Sequence, residues 1–342
     1  MTEQTTYYRP TKLDYLYDAA TSIDDEVKLA QIINKMKPYQ IRAVYDEFED
    51  PYSSFNYDKE YSNYFWSRFK KAVAEIKTEG GKIPHLAAIL VGSDGASQTY
   101  VGAKVKACHE IGFESTLVRL DDTISEEELL AKVEEINANP DIDGLIVQLP
   151  LPKHISVEKV TDKIKPEKDV DGFTNDNIGS ITSTKKKLMP ATGLGVMTLI
   201  ERYAIDIESK KCVVIGSSRN VGGAIAQMLV QREDVTVTVC NSKTKNLKSI
   251  TIDADLIISD VGIPNLVTED MVKEGVSIID VGISRVEDSS KKSGYKIVGD
   301  VDFENIYNKA NLITPVPGGV GPMTIVSLLQ NTLKVYCDKF KI

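Results

Sequence analysis

The sequence predicts an α/β fold of two lobes with a cleft between them. Near-continuous apolar strands alternate with helical patterns, the signature of parallel sheets covered on both faces. The alternation comes as two sets, separated by an irregular stretch near residue 175. A length of 342 residues also exceeds what one core usually organises. In chain order, residues 1–55 are rich in tyrosine (Tyr7, Tyr8, Tyr15, Tyr17, Tyr39, Tyr45, Tyr52) and acids, with a helical stripe over Asp24–Met36 only. They are expected to be a solvated extension, with a partner-binding or oligomer arm as the alternative. Tyr61–Thr78 reads as a helix, since Phe65, Phe69, Val73 and Ile76 recur at spacings of three and four before Gly80 and Gly81. His85–Gly92 is an expected buried strand, Ser97–Ile111 a helix stopped by Gly112, and Glu114–Leu120 a strand. Thr123–Ala138 is an expected helix carrying a capping box from Ser125 to Glu128. Strand Gly144–Leu149 leaves through Pro150 and Pro152. The second set follows a helix over Gly193–Ala204: strand Lys211–Ile215, helix Gly223–Gln231, strands Val235–Cys240 and Asp255–Val261, helix Thr268–Glu274 and strand Val276–Val281. Thr324–Phe340 reads as a closing helix.

Composition removes several function classes. Lys and Arg number 41 against 50 Asp and Glu, a net charge of −9, so no basic surplus is available for nucleic acid. Apolar runs such as Leu86–Val91 are far too short for a membrane span. The acidic first thirty residues resemble neither a secretory signal nor a transit peptide. Cys108, Cys212, Cys240 and Cys337 lack zinc or disulfide-framework spacing, so no metal site and a reducing, cytoplasmic location are expected. His85, His109 and His154 are dispersed, which points proton chemistry toward another base.

Three constellations carry chemistry. The strand ending at Ile215 runs into Gly216-Ser217-Ser218-Arg219-Asn220-Val221-Gly222-Gly223 and then a helix, the arrangement that offers backbone N–H groups and a helix dipole to a pyrophosphate. A purely structural glycine turn is the alternative. The next strand ends Cys240-Asn241-Ser242-Lys243, with no acid for a ribose 2′-hydroxyl, and its polar groups favour the 2′-phosphate of NADP. In the first lobe, Tyr100 and Lys104 stand four apart on one helix face, where a phenol and an amine can exchange a proton; a solvated face is the bland alternative. Gln148 ends a strand at the sheet edge where α/β folds place ligands. Asp169 and Asp171 lie in a turn-rich loop at the lobe boundary, as ligand groups or as turn stabilisers. Thr314–Thr324 is so rich in Pro and Gly that it forms a rigid loop able to approach a ligand closely.

From Tyr61 to Phe340 the chain resembles the bifunctional methylenetetrahydrofolate dehydrogenase/methenyltetrahydrofolate cyclohydrolase family. The blocks YVGAK, GLIVQLPLP, PEKDVDGF, PATGLG, GSSRNVGG, VGDVDF and TPVPGGVGPMT stand in the family's order. The resemblance implies a Rossmann-like second lobe and a last helix that returns to the first. The implied domains are an extension over 1–55, a folate-binding catalytic domain of 56–175 with 320–342, and an NAD(P)-binding domain over 176–319. It implies Lys104 as the catalytic lysine, Tyr100 beside it, Gln148 tuning it and Asp171 holding the pterin. Ser97, Leu149 and the loop Pro317-Gly318-Gly319 would complete the folate site. Thr192, Gly216, Ser217, Ser218, Arg219, Val221, Gly222, Asn241, Ser242, Gly262, Ile283 and Thr324 would surround the dinucleotide. Tetrahydrofolate derivatives are the implied ligands and a homodimer the implied assembly, in one-carbon metabolism.

One departure bears on the cofactor. The family often has Arg after the first glycine of the turn, where it meets the 2′-phosphate; here that residue is Ser217, with Arg219 two positions later. Either Arg219 compensates or NAD is accepted. Some mitochondrial-type members use NAD with phosphate and a divalent ion, and Asp234 falls near an acid of such a member; without arginine at 217 that metal site is not carried over. Two rivals stand beside the bifunctional reading: a monofunctional NAD-dependent dehydrogenase, against which Gln148 argues, and a catalytically dead dinucleotide-binding scaffold, against which the intact catalytic set argues.

Overall fold

The computed structural model describes residues 55–340, apart from 186, 233, 292 and 293, with side chains from Phe65 onward except at position 96. The helix expected over Asp24–Met36 lies outside the described residues. With no Gly or Pro between Phe55 and Gly80, α1 (Phe55–Thr78) begins ahead of the expected Tyr61. Its stripe is buried as the spacing requires, with Phe69 against Phe65 and Phe113 at ring distances of 6.5 and 6.4 Å.

The apolar run His85–Val91 forms β1, the centre of a three-stranded parallel sheet. After it come α2 (Gly95–Ile111), β2 (Glu114–Leu120), α3 (Glu126–Ala138) and β3 (Gly144–Val147). The strand order is β2-β1-β3. Asp94 caps α2 by accepting the Ser97 N–H, and Gly112 ends it at φ 87°. The capping box at Ser125 and Glu128 closes as read from the sequence, with each side chain on the other's backbone N–H. Beyond the expected elements, two short helices follow β3, α4 (Val157–Lys163) and α5 (Asn175–Gly179), each capped by a hydroxyl, Ser156 and Thr174.

The second lobe begins with α6 (Ala191–Arg202) and continues with β4 (Lys211–Ile215), α7 (Gly222–Val230), β5 (Thr236–Cys240), α8 (Leu247–Thr251), β6 (Leu256–Ser259) and β7 (Ser277–Asp280). The hairpin β8 (Ser284–Glu287) and β9 (Tyr295–Val298), α9 (Phe303–Ile306), β10 (Leu312–Ile313) and α10 (Val320–Phe340) complete the chain. All five strands of its main sheet are parallel, in the order β10-β7-β6-β4-β5. Counted along this lobe the order is 2-1-3-4-5, a doubly wound sheet whose direction reverses between β4 and β6. The expected helix over Thr268–Glu274 is corrected to a single 3-10 turn, Glu269–Met271. Thr268 spends its hydroxyl on the Asp270 side chain rather than on a helix N–H. Val267 and Val272 are fully buried on either side, so packing holds the segment as a loop.

The closing helix α10 starts at Val320 rather than Thr324, because Pro322 falls in the first turn, where its missing N–H costs nothing. It packs along α6, where Gly195 leaves only 3.1 Å between its own absent Cβ and the Met323 backbone. From there it reaches the first lobe. Asn331, buried, donates to the carbonyls of Val170 (2.8 Å) and Met189 (2.9 Å). Near its end Lys339 meets the buried Asp143 carboxylate at 2.9 Å. One apolar cluster therefore runs from Phe69 and Leu90 in the first lobe through Val326 and Leu329 to Val214 and Ile258 in the second.

Candidate active site

At the carboxyl edge of the first sheet, Gln148 follows β3 and its N–H donates to the Ile89 carbonyl of β1 at 2.9 Å. Helix α2 leaves the neighbouring end of β1 and carries Lys104 inward. The loop 168–172 is laid beside β3 by a hydrogen bond from Leu145 N–H to Lys168 O (2.7 Å) and a bridge between Leu145 and Asp169. These three elements converge. Lys104 Nζ donates to Gln148 Oε1 at 3.3 Å and stands 3.9 Å from Asp171 Oδ1. Both partners of the ion pair have side chains only 11% exposed, so the amine is screened from bulk water. Gln148 Nε2 in turn donates to Leu149 O at 2.7 Å, which fixes the amide with its oxygen toward the lysine.

The two aspartates of this loop divide the work that the sequence left open. Asp169 is the turn stabiliser: its carboxylate accepts the N–H groups of Gly172 and Thr174 and the Asn177 amide. Asp171 faces Lys104. Burial pushes its carboxyl above the ordinary range, Lys104 opposes that shift and Asp169 adds to it. Gly172, at φ 74°, is required here, because a Cβ would lie 2.7 Å from the Met189–Pro190 backbone. Tyr100, one turn before Lys104, is half-buried, and burial raises its phenol against the opposing charge of Arg285. Ser97 is buried at the start of α2 with its hydroxyl on Asp94 (2.9 Å), so it acts on the helix cap. Pro317, Gly318 and Gly319 lie just before α10, and Gly319 packs so closely on Thr314 and Pro315 that a Cβ would lie 2.6 Å from a carbonyl.

The glycine turn sits where the second sheet reverses. Gly216, at φ 123°, brings the chain against β6, leaving 2.4 Å between its absent Cβ and the Asp260 carbonyl. Gly222 crosses Gly216 equally closely, at 2.5 Å. Both glycines are thus imposed by backbone approach. Ser217, Ser218 and Arg219 are exposed, and Val221 leads into α7. Asn220 Oδ1 is buried without a hydrogen-bond donor, an acceptor suited to a ligand hydroxyl or amide. A nicotinamide dinucleotide fits this cradle by the chemistry of its donors. Arg219 turns toward the first lobe, to Asn175 Oδ1 (2.6 Å) and Asp162 (3.7 Å). At the exit of β5, Asn241 and Ser242 are exposed, and the Asn241 amide oxygen accepts the Lys243 N–H. Thr192 lies in the first turn of α6, and Thr324 on α10 donates its hydroxyl to Val320 O (3.1 Å).

Sequence reasoning missed the acids that shape this lobe. Asp300 accepts Val261 N–H, Ile263 N–H and the Ser259 hydroxyl, pinning the loop that holds Gly262. Asp280 accepts the N–H groups of Gly282, Asp300 and Val301, and sets the segment leading to the exposed Ile283. Burial pushes Asp280 up to about 7 against those donors. A third acid, Asp260, follows β6. Each stands at or just past an apolar strand and next to glycine or a short loop, which was the available signal. Arg285 of β8, lying over the Tyr295 ring at 4.5 Å, was missed because nothing in the sequence brings it to Gly95 of the first lobe, 3.3 Å from that residue's absent Cβ.

Comparison with known proteins decides what these two adjoining sites belong to. Residues 58–171 match the catalytic domain of tetrahydrofolate dehydrogenase/cyclohydrolase, and residues 190–340 match its NAD(P)-binding domain. The chain belongs to the tetrahydrofolate dehydrogenase/cyclohydrolase family. Within that family, the bifunctional protein FolD of Cytophaga hutchinsonii is 54% identical over 268 residues, 78% of this chain and 92% of the relative. A solved FolD methylenetetrahydrofolate dehydrogenase/cyclohydrolase from Campylobacter jejuni superposes with a TM-score of 0.77 at 46% identity, covering 82% of this chain and 98% of that one. The Trypanosoma brucei enzyme, solved with NADP and an inhibitor, gives a TM-score of 0.80 at 36% identity over 83% of this chain and 97% of that one. The family's two-lobed architecture with a Rossmann-like lobe is thus the fold of this chain, which binds a nicotinamide dinucleotide.

Proposed function

We propose that this chain oxidises 5,10-methylenetetrahydrofolate and hydrolyses the methenyl product to 10-formyltetrahydrofolate at one site, built on Lys104, with NADP as the preferred oxidant. The observation that carries this reading is the screened amine of Lys104 held between the Gln148 amide oxygen and the Asp171 carboxylate. A bound nicotinamide supplies the hydride acceptor. The chain's own residues then manage protons and position. Opening or reclosing the folate's five-membered ring moves a proton at a ring nitrogen, and the Lys104 amine is the group placed to hold it. Hydrolysis of the methenyl cation needs a water relieved of a proton, and the same amine takes it in its neutral form, after its own proton has passed to the folate ring nitrogen or to solvent. Gln148 orients the amine, since its other end is fixed on Leu149 O. Asp171 offers a buried acceptor to N–H groups of the pterin, and Tyr100 and the Pro317–Gly319 loop wall the substrate. Neither a histidine nor a metal enters this scheme.

The division into a catalytic lobe of 56–175 with 320–342 and a dinucleotide lobe of 176–319 follows the same reading, supported by the bonds of Asn331 and Lys339 to the first lobe. NADP is favoured because β5 is followed directly by Asn241, Ser242 and Lys243, without a carboxylate to repel a 2′-phosphate. The protein is assigned to the cytoplasm as a homodimer; four free thiols, three of them buried, suit a reducing compartment. Steady-state kinetics with NADP and NAD side by side test the cofactor. A higher kcat/KM with NADP is expected. A preference for NAD above tenfold, about 1.4 kcal/mol, would overturn that part.

A further inference from the structure

Asp260 places a negative charge inside the cradle that an anionic cofactor must enter. Its N–H extends the β4–β6 pairing by donating to Ile215 O at 2.7 Å, so the residue is fixed at the point where the strand order reverses. Its Oδ2 accepts the Ser218 hydroxyl at 3.0 Å and the Gly222 N–H at 3.0 Å. Gly222 is the first residue of α7, whose N-terminal amides and dipole are the groups a doubly wound fold turns toward pyrophosphate. The carboxylate therefore uses the donors that a phosphate oxygen would use, and carries the same sign of charge. Among the described residues, no lysine or arginine forms an ion pair with it. Arg219, in the same turn, is committed to Asn175 and Asp162, and the charge acting from the neighbouring loop is another carboxylate, Asp300. Burial and Asp300 both push the Asp260 carboxyl above its ordinary range, while the bonds from Ser218 and Gly222 pull the other way.

We propose that Asp260 is an internal competitor for the dinucleotide's phosphates, holding Ser218 and Gly222 in the free protein and setting cofactor affinity below what the glycine turn alone would give. The inference rests on the dehydrogenase reading of the site. On binding, the Ser218 hydroxyl and the Gly222 amide pass from the carboxylate to the phosphate, and the cost of displacing a charged acceptor is subtracted from the cofactor's affinity. Such a residue keeps the site in exchange with a pool of abundant dinucleotide, favouring release after turnover.

Two substitutions separate this role from a structural one. Asp260→Asn removes the charge and keeps an oxygen for the Gly222 N–H; Asp260→Ala removes both. NADP and inorganic pyrophosphate are titrated separately into wild type and both variants by calorimetry. Both variants are expected to bind NADP at least tenfold more tightly than wild type, with pyrophosphate tightening in parallel. If Asp260 only pins the turn, Asp260→Asn binds as wild type and Asp260→Ala binds more weakly. If it accepts a ribose hydroxyl, both variants bind NADP more weakly. Either result, with turnover intact in the wild type, overturns the inference alone. A wild type that binds no dinucleotide overturns the dehydrogenase reading and this inference with it.

Discussion

Purified Lys104→Met is expected to lose detectable hydrolysis of methenyltetrahydrofolate and to slow hydride transfer by about 10²-fold or more, the usual worth of a positioned proton carrier. Methionine fills much of the volume of the lysine stem, so the packing of α2 on the first sheet survives. The lost function is the amine that donates to Gln148 Oε1 and pairs electrostatically with Asp171 Oδ1. Without it the Asp171 carboxyl, already raised by burial, loses the charge that opposes the shift and moves further up. Cofactor affinity is expected to stay at the wild-type value, because the glycine turn lies on the other lobe. Single-turnover hydrolysis and NADP titration of the same preparation check both halves. Hydrolysis at the wild-type rate would remove the amine from the mechanism.

The largest effect on stability is expected at Gly282. A Cβ there would fall 2.1 Å from Asp300 Cγ and 2.2 and 2.3 Å from its two oxygens. Asp is short, and this one is fixed by three donors, so the carboxylate has no open direction in which to retreat. Gly282→Ala must either break those hydrogen bonds in a buried site or push β7 and the loop after β6 apart. Unsatisfied buried donors cost about 1–3 kcal/mol each. A loss of about 3–5 kcal/mol is expected, the scale for breaking a buried charged network. Urea unfolding monitored by the single tryptophan, Trp66, measures it; Trp66 sits against Phe69 and donates to Glu110, so its signal reports the first lobe and the shared core. A variant within 1 kcal/mol of wild type would mean that Asp300 is not held as described.

What was legible in the sequence and what was not separates by the range of the interaction. Ser125 and Glu128 satisfy each other within one turn, so the cap could be read from spacing alone. The buried stripe of α1 and the apolar strands β1, β4 and β6 follow from periodicity, which burial on folding simply enforces. The site residues Lys104, Gln148 and Asp171 were readable as motifs, yet their meeting depends on strand order and on a loop bridged to β3, neither of which is local. Thr268–Glu274 misled because its composition suits a helix, while Val267 and Val272 are drawn into the core from a loop. Asp260, Asp280 and Asp300 went unread for a related reason. An acid at a strand end looks like a solvated turn until the fold closes another strand's backbone over it.

The central claim is that one site on one chain carries both activities. It is tested most directly by assaying a single wild-type preparation for NADP reduction with methylenetetrahydrofolate and, without any dinucleotide, for hydrolysis of methenyltetrahydrofolate. Turnover in both assays is predicted. NADP or NAD reduction with hydrolysis no faster than the uncatalysed rate would contradict the account and leave a monofunctional dehydrogenase.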